Sequence, residues 1–453
     1  MQPATTIATT PFMPAYLRFS ISINNMLPAK FIWKPLIQKV VTGHRERFRM
    51  FSYEPSFPAN LKRVGLYLHV PFCKNLCPFC PYNRVEYNNT LFDLYEKAVH
   101  KEIELYTPHL RGSDFISLYI GGGTPTVNLT GLLRILDHLK TNFSLSCDIC
   151  IELHPANMDT ECLEKLKKAR VTMLSVGIES TSDRILQNIG RNHDGETALN
   201  SLRRAVATGF DSVNTDLMFA LPGQNLKDWE NDLIAVIKEG VDQISTYPLF
   251  SFPYSDLGQS QKIRNVRRPD SHIIRSMLNL TDSLSTSSGY KRCAVWSWLK
   301  PSKKKFSSIT RHHYVGFGPS AASMTGKDFY VNTFDVASYA EILPEKRPIA
   351  LSMPVDLRLE MAYWLYWRVY ELKIQQDDFK DLFGEEYSIE SSFNNIIKPF
   401  RLAGMLEKWN GGYQVTNSGA YWIHRLQNEY SLNYINRLWG ACRKVSWPKE
   451  IYL

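Results

Sequence analysis

An α/β fold is predicted by this sequence: a partial (β/α)6 barrel followed by a smaller, mainly helical C-terminal domain. Three observations lead there. Between Leu66 and about Phe250, short β-branched or aromatic runs alternate with longer segments of helical spacing. From about Met353 the alternation stops and helical runs take over. Three cysteines stand directly after the first strand-like run, at the strand end where βα barrels keep their chemistry.

The chain has 453 residues, which suits one large catalytic domain and a smaller one. Hydrophobic residues make up 44% and charged residues 21%, so a large core can form and general disorder is excluded. No uncharged apolar run of about 18 residues predicts a membrane span, and a cytoplasmic location is expected. The net charge of +9 fits nucleic acid, anionic lipid or an anionic small molecule and does not choose among them.

Residues 1–60 read as a basic extension. No Asp or Glu precedes Glu46, a trait of transit peptides, but arginine is sparse and Pro28 and Pro35 spoil a long helix. Phe31, Ile32, Trp33, Leu36 and Ile37 suit peripheral contact with a membrane surface or a cover over a substrate.

Residues 61–260 carry the barrel pattern. The predicted strands are 66–70, 116–122, 149–155, 172–180, 212–221 and 242–250. Helical spacing shows in Leu91, Leu94, Tyr95, Ala98 and Val99, in Leu132, Leu133, Ile135, Leu136 and Leu139, and in Trp229, Leu233, Ile234 and Ile237. Such alternation implies parallel strands with helices outside. Residues 261–350 read as barrel completion, with a polar stretch Arg264–Asp270, a Lys-rich loop 301–308 and a small-residue run 316–326. Residues 351–453 read as an accessory lid. There a helix over 357–370 precedes helix, hairpin through Asn410-Gly411-Gly412 and helix, a winged-helix-like order.

Five of the eight cysteines are scattered among apolar neighbours and read as free thiols. Cys73, Cys77 and Cys80 are spaced Cys-x3-Cys-x2-Cys in a loop. Thiolates are soft ligands for iron or zinc. Structural zinc wants four ligands, and His69, inside a strand, reads as core. Three thiolates on a 4Fe–4S cluster leave one iron open for a substrate or cofactor. Phe72 and Phe79 can keep water from it.

On this triad the chain resembles the radical S-adenosylmethionine (SAM) superfamily. The resemblance extends over roughly residues 62–425 through LYLHVPFC, GGGTPT (121–126), VGIES, Arg191 and NTDLMFALPGQ (214–224). It is to the subfamily of oxygen-independent coproporphyrinogen III oxidase, its heme-chaperone relatives and class C radical methyltransferases. It implies a radical SAM barrel, a 4Fe–4S cluster on Cys73, Cys77 and Cys80, and SAM on the open iron, cleaved to a 5′-deoxyadenosyl radical. Tyr67, Phe79, Gly122, Glu152 and main-chain groups at Phe250 and Ala322 would meet the first SAM. Gly123, Thr124, Glu179, Arg191 and Asp216 would hold a second, if two bind. Tyr67, Glu179 and Arg191 are the residues expected to carry catalysis.

The chain departs from the oxidase in having Glu179 where the oxidase has glutamine, and Pro81 and Tyr82 where it has a further cysteine. The first expectation is therefore class C methyl or methylene transfer to an sp2 carbon of a planar or unsaturated substrate. Oxidative decarboxylation of coproporphyrinogen III and heme delivery stand as alternatives. The expected partners are a hydrophobic or tetrapyrrole-like small molecule and a flavodoxin- or ferredoxin-type electron donor, without nucleic acid. Lys303, Lys304 and Lys305 read as a solvated run, with substrate carboxylates as the alternative. His312 and His313 read as polar packing, with heme iron as the alternative.

Overall fold

The computed structural model describes residues 47–57, 61–250, 252, 254, 255, 270–307, 312–343 and 345–453. The membrane-contact expectation for residues 31–37 and the polar stretch 264–269 lie outside the described residues.

Six βα units follow the predicted order. The strands are β1 (Val64–Val70), β2 (Phe115–Gly122), β3 (Asp148–Leu153), β4 (Met173–Glu179), β5 (Ser212–Phe219) and β6 (Gln243–Pro248). Their neighbours pair in parallel from β1 to β6. The helices between them are α1 (Asn89–Leu110), α2 (Leu129–Phe143), α3 (Thr160–Lys168), α4 (Gly195–Thr208) and α5 (Leu226–Lys238). Each begins on an Asn or Asp cap whose side chain accepts a backbone N–H, or at α5 on a full capping box. The strands are buried on both faces, which explains their nearly continuous apolar runs. Burying each large apolar side chain of this core contributes about 1.5–3 kcal/mol.

Beyond residue 260, α6 (Ser271–Ser287) packs on α5, where Trp229 Nε1 donates to the Met277 carbonyl at 3.1 Å and to Thr281 Oγ1 at 3.0 Å. Strands β7 (Lys291–Ala294) and β8 (Ser297–Leu299) extend the sheet past β6, antiparallel. On the other side β9 (His313–Phe317) joins parallel to β1, a seventh parallel strand absent from the predicted six. Then β10 (Ala322–Met324), β11 (Asp328–Asn332) and β12 (Ile349–Pro354) continue antiparallel. Strands Arg49–Phe51 and Glu450–Tyr452 complete one sheet of fourteen strands.

A second core lies under α7 (Leu357–Tyr370), α8 (Ile389–Leu402), the hairpin β13 (Leu406–Trp409) and β14 (Gly412–Val415), and α9 (Asn417–Cys442). The hairpin turns at Asn410 and Gly411, both with positive φ, as an Asn-Gly turn requires. Among the described residues, no helix is long and apolar enough to cross a membrane.

Candidate functional site

The loop after β1 is built by backbone and arginine. Phe72–Cys73 pairs with Val85–Glu86, and the Gly123 and Thr124 N–H groups donate to the Val70 and Phe72 carbonyls at 2.8 and 2.7 Å. Arg84 staples the interior of the loop, donating to the carbonyls of Cys80, at 2.9 Å, and Cys77. Nothing but its place after the triad marked Arg84 in the sequence. His69 is core: its Nε2–H donates to the Asn83 carbonyl at 2.9 Å, and its Nδ1 accepts from Tyr67 at 2.7 Å.

The glycines of β2 face the protein itself. A Cβ on Gly121 would stand 2.6 Å from the Glu152 carboxylate, one on Gly122 (φ +119°) 2.7 Å from His69, and one on Gly123 2.6 Å from the Phe72 carbonyl and 2.9 Å from Cys73 Sγ. The close approach expected of a ligand is thus made in part by the cysteine loop.

Cys73, Cys77 and Cys80 open onto one cavity of about 340 Å³, together with Phe79, Gly122, Gly123, Thr124, Glu152, Glu179, Arg191, Asp216 and Phe250. Two expected residues stand apart. Tyr67 lies behind the wall, its ring 6.1 Å from that of Tyr119, and Ala322, on β10, pairs with Val331 of β11 and packs near Met50. The sequence did not single out Tyr119, His154, Tyr247, Trp296, Phe306 or Tyr370, which also line the cavity. Tyr119 was legible only through its register with Tyr67 on the adjacent strand.

Three carboxyl groups share this space. Glu152 accepts from Tyr119 OH at 2.5 Å and from the Gly122 N–H at 3.0 Å. Glu179 accepts from Tyr247 OH at 3.1 Å and stands 3.6 Å from Arg191. Asp216 accepts from Ser175 Oγ at 2.7 Å and Asn214 Nδ2 at 3.0 Å. Burial raises all three; Asp216, with Glu179 and Glu152 adding to the effect, is pushed up to about 7. Arg191 crosses from the carboxylates to the cysteines: Nη2 donates to the Gly177 carbonyl, Nη1 lies 3.4 Å from Cys77 Sγ, and Nε is buried without a partner. It leaves one unused donor on a residue of the cavity wall.

The lysine run divides. Lys303 pairs with Asp242 at 3.2 Å, and Lys304 with Asp148 and Asp211 at 2.7 and 3.0 Å, carboxylates at the N-terminal ends of β6, β3 and β5. Lys305 lines the cavity and pairs with Glu371 at 2.8 Å. Phe306, held by reciprocal bonds with the Gln243 amide at 3.0 Å, packs its ring 5.3 Å from Tyr119. His312 and His313 both meet Glu360, as polar packing would have them.

The donor set distinguishes a cluster from a single ion. A tetrahedral zinc with its sulfurs at about 2.3 Å brings them to roughly 3.8 Å from one another. Among the described residues, the group whose ligand atoms all lie within 4.8 Å is His312, His313 and Glu360, so the triad is spread wider. Wide spacing suits thiolates on separate irons. Burial pushes the Cys80 thiol up to about 12 and raises Cys73, so cluster binding must displace protons.

Residues 67–234 match the radical SAM superfamily. This stretch is a radical SAM domain. Its cofactors are a 4Fe–4S cluster and SAM. The chain is 26% identical over 363 residues to the heme chaperone HemW of Bacillus subtilis, covering 78% of this chain and 95% of that one. It is 26% identical over 392 residues to the oxygen-independent coproporphyrinogen III oxidase of Escherichia coli, covering 80% and 84%. The solved structure of that oxidase, HemN, superposes with a TM-score of 0.73 at 20% identity, over 87% of this chain and 97% of the other, so the radical SAM domain sits in a HemN-like fold. These relatives are a chaperone and an oxidase, and the expectation of methyl transfer gives way to the two alternatives.

Proposed function

We propose that this chain is a radical SAM enzyme that acts on a tetrapyrrole, with oxidative decarboxylation of a coproporphyrinogen-type substrate as its reaction. The observation that carries this reading is Arg191, which joins Cys77 to Glu179 inside a cavity also lined by Tyr247, Phe250, Trp296 and Tyr370. The cluster supplies the electron that cleaves SAM. The chain's own residues bind and orient: Glu152 would receive the SAM amino group, and Glu179, Arg191 and Asp216 would hold a second SAM or the substrate edge. Aromatic walls suit a flat, apolar macrocycle and exclude water. A flavodoxin- or ferredoxin-type protein would supply the electron.

Heme delivery is the second reading. Pro81 and Tyr82 favour it, because they replace the oxidase's further cysteine.

Anaerobic reconstitution, reduction and incubation with SAM and coproporphyrinogen III test the proposal. Formation of 5′-deoxyadenosine together with decarboxylated product is expected. Stoichiometric heme binding without turnover selects the second reading. Deuterium from methyl-labelled SAM appearing in 5′-deoxyadenosine would overturn both in favour of methyl transfer.

A further inference from the structure

At the end of the strands opposite the cysteines, two imidazoles close on one carboxylate oxygen. His313 is the first residue of β9 and lies beside Val64, the first residue of β1. Successive side chains of a strand point to opposite faces. His312 and His313 nevertheless face the same group, because His312 sits at a bend before the strand begins. Nε2 of each ring lies 2.9 Å from Glu360 Oε1 on α7.

The three ligand atoms all lie within 4.8 Å of one another, and the side chains are 14–16% exposed. Water and ions can reach them, yet packing holds them. The rings of Tyr363 and Phe383 stand edge-on to His312 at 6.0 and 5.8 Å. Gly326 (φ +81°) leaves the space beside them: a Cβ there would come 2.9 Å from His313 Nε2 and 3.3 Å from Glu360 Oε1. The neighbouring cation, Arg368, is paired with Glu371 at 2.7 Å. Around zinc, with N and O ligands at about 2.0–2.2 Å, tetrahedral donors stand roughly 3.3 Å apart. The two imidazole-to-carboxylate separations of 2.9 Å need change by only a few tenths of an ångström, and the two nitrogens lie within 4.8 Å of each other.

We propose that His312, His313 and Glu360 form a binding site for one divalent cation of borderline softness, zinc first, with water completing the coordination. Two neutral imidazole nitrogens and a carboxylate are the ligands such an ion takes, and three protein ligands leave a position open. The site ties α7, the first helix over the second core, to the start of β9 in the main sheet. It is separate from the cysteine triad and does not depend on the reaction proposed above.

The test is zinc titration by calorimetry on the full, cluster-loaded chain, followed by metal analysis after dialysis. One zinc per chain is expected beyond the cluster, with a melting temperature that rises with zinc concentration. Glu360→Gln and His313→Ala should each weaken binding by about tenfold or more. The triple variant Cys73→Ala, Cys77→Ala, Cys80→Ala should keep the site, which separates it from zinc captured by thiols. In that variant, cobalt should give d–d bands without a sulfur charge-transfer band. If the wild type binds no such zinc, if the triple variant binds none, or if Glu360→Gln binds as the wild type does, the three residues are a hydrogen-bonded cluster only. Should a variant fail to fold by circular dichroism, the cobalt spectrum of the triple variant still decides between imidazole and thiolate ligands.

Discussion

The Asp232 carboxylate accepts both the backbone N–H and the hydroxyl of Thr181, at 2.6 and 2.7 Å. It also accepts from the Ser180 hydroxyl at 2.9 Å. Asp232 is fully buried on α5 and does not line the cavity. What it holds is the turn after Glu179, whose φ of +66° is left-handed. A side chain in that region costs about 1–2 kcal/mol, and the turn persists because its neighbours fix it. Asp232 is therefore a positioning residue for Glu179.

Replacing Asp232 by Asn removes the charge and sets an amide against donors. The expected stability loss is about 1–3 kcal/mol, from buried groups left unpaired. SAM cleavage should show a raised KM for SAM, larger in proportion than the fall in kcat, while iron content stays that of the wild type. Unchanged KM in the folded fraction would reduce Asp232 to a stabilising contact.

Cys77→Ala should abolish the brown colour, the iron and sulfide of a full cluster, and SAM cleavage. Cys150→Ala, at a buried thiol of β3 outside the triad, should keep all of these at wild-type level. Iron and sulfide analysis after anaerobic reconstitution separates the two. A Cys77→Ala protein with a full, active cluster would overturn the ligand assignment.

Asp216 makes the stability of the cofactor-free protein depend on pH. Its folded-state pKa, about 7, lies above the ordinary value of 3.8, so the folded state holds the extra proton. Stability is then highest below pH 4 as far as this group is concerned, and falls as pH rises towards 7. The full cost of ionising it in place is roughly 4 kcal/mol, at about 1.4 kcal/mol per pH unit. Asp216→Asn should melt higher than the wild type at pH 8, and the difference should vanish near pH 4. A constant offset at both pH values would count against burial as the cause.

Phe306 and Lys304 sit two residues apart and should behave differently. Phe306 is buried against Tyr119, and its loss should cost about 3–5 kcal/mol and admit water to the cavity. Uncoupled 5′-deoxyadenosine formation without substrate should rise. Lys304 is half exposed, so Lys304→Met should change stability by less than about 1 kcal/mol and leave cleavage unchanged. Thermal melts and product assays of both variants check the contrast. Equal effects would mean that the segment acts as one ionic strap.

The parallel βα sheet was legible because its strands are buried on both sides and its helices carry one apolar face, so the two periods alternate cleanly from Leu66 to Phe250. The strand over 149–155 stopped early, at Leu153, because Pro155 opens a short 3-10 turn. The seventh parallel strand was not legible. His313–Phe317 is short, and its partner β1 lies some 250 positions earlier in the chain, a pairing no local pattern encodes. Among the residues that line the cavity, those at strand ends such as Glu152 and Glu179 were named from their motifs. Arg84, Tyr247 and Trp296 were missed because arginine and aromatic residues are common, and only the fold brings these three to one cavity. Lys305 was read with its neighbours, although its side chain alone turns inward.

The three glycines at 121–123 carry a consequence for genetics. Each is confined by a different neighbour: Glu152, His69, and the backbone and sulfur of the cysteine loop. A strain with alanine at 121, which meets only the Glu152 and Tyr119 side chains, could be repaired by Glu152→Asp. No second-site change can repair alanine at 123, since the obstacle is the Phe72 carbonyl, a group present in any residue. Suppressor screens should therefore return compensating changes for the first lesion and only true reversion for the second.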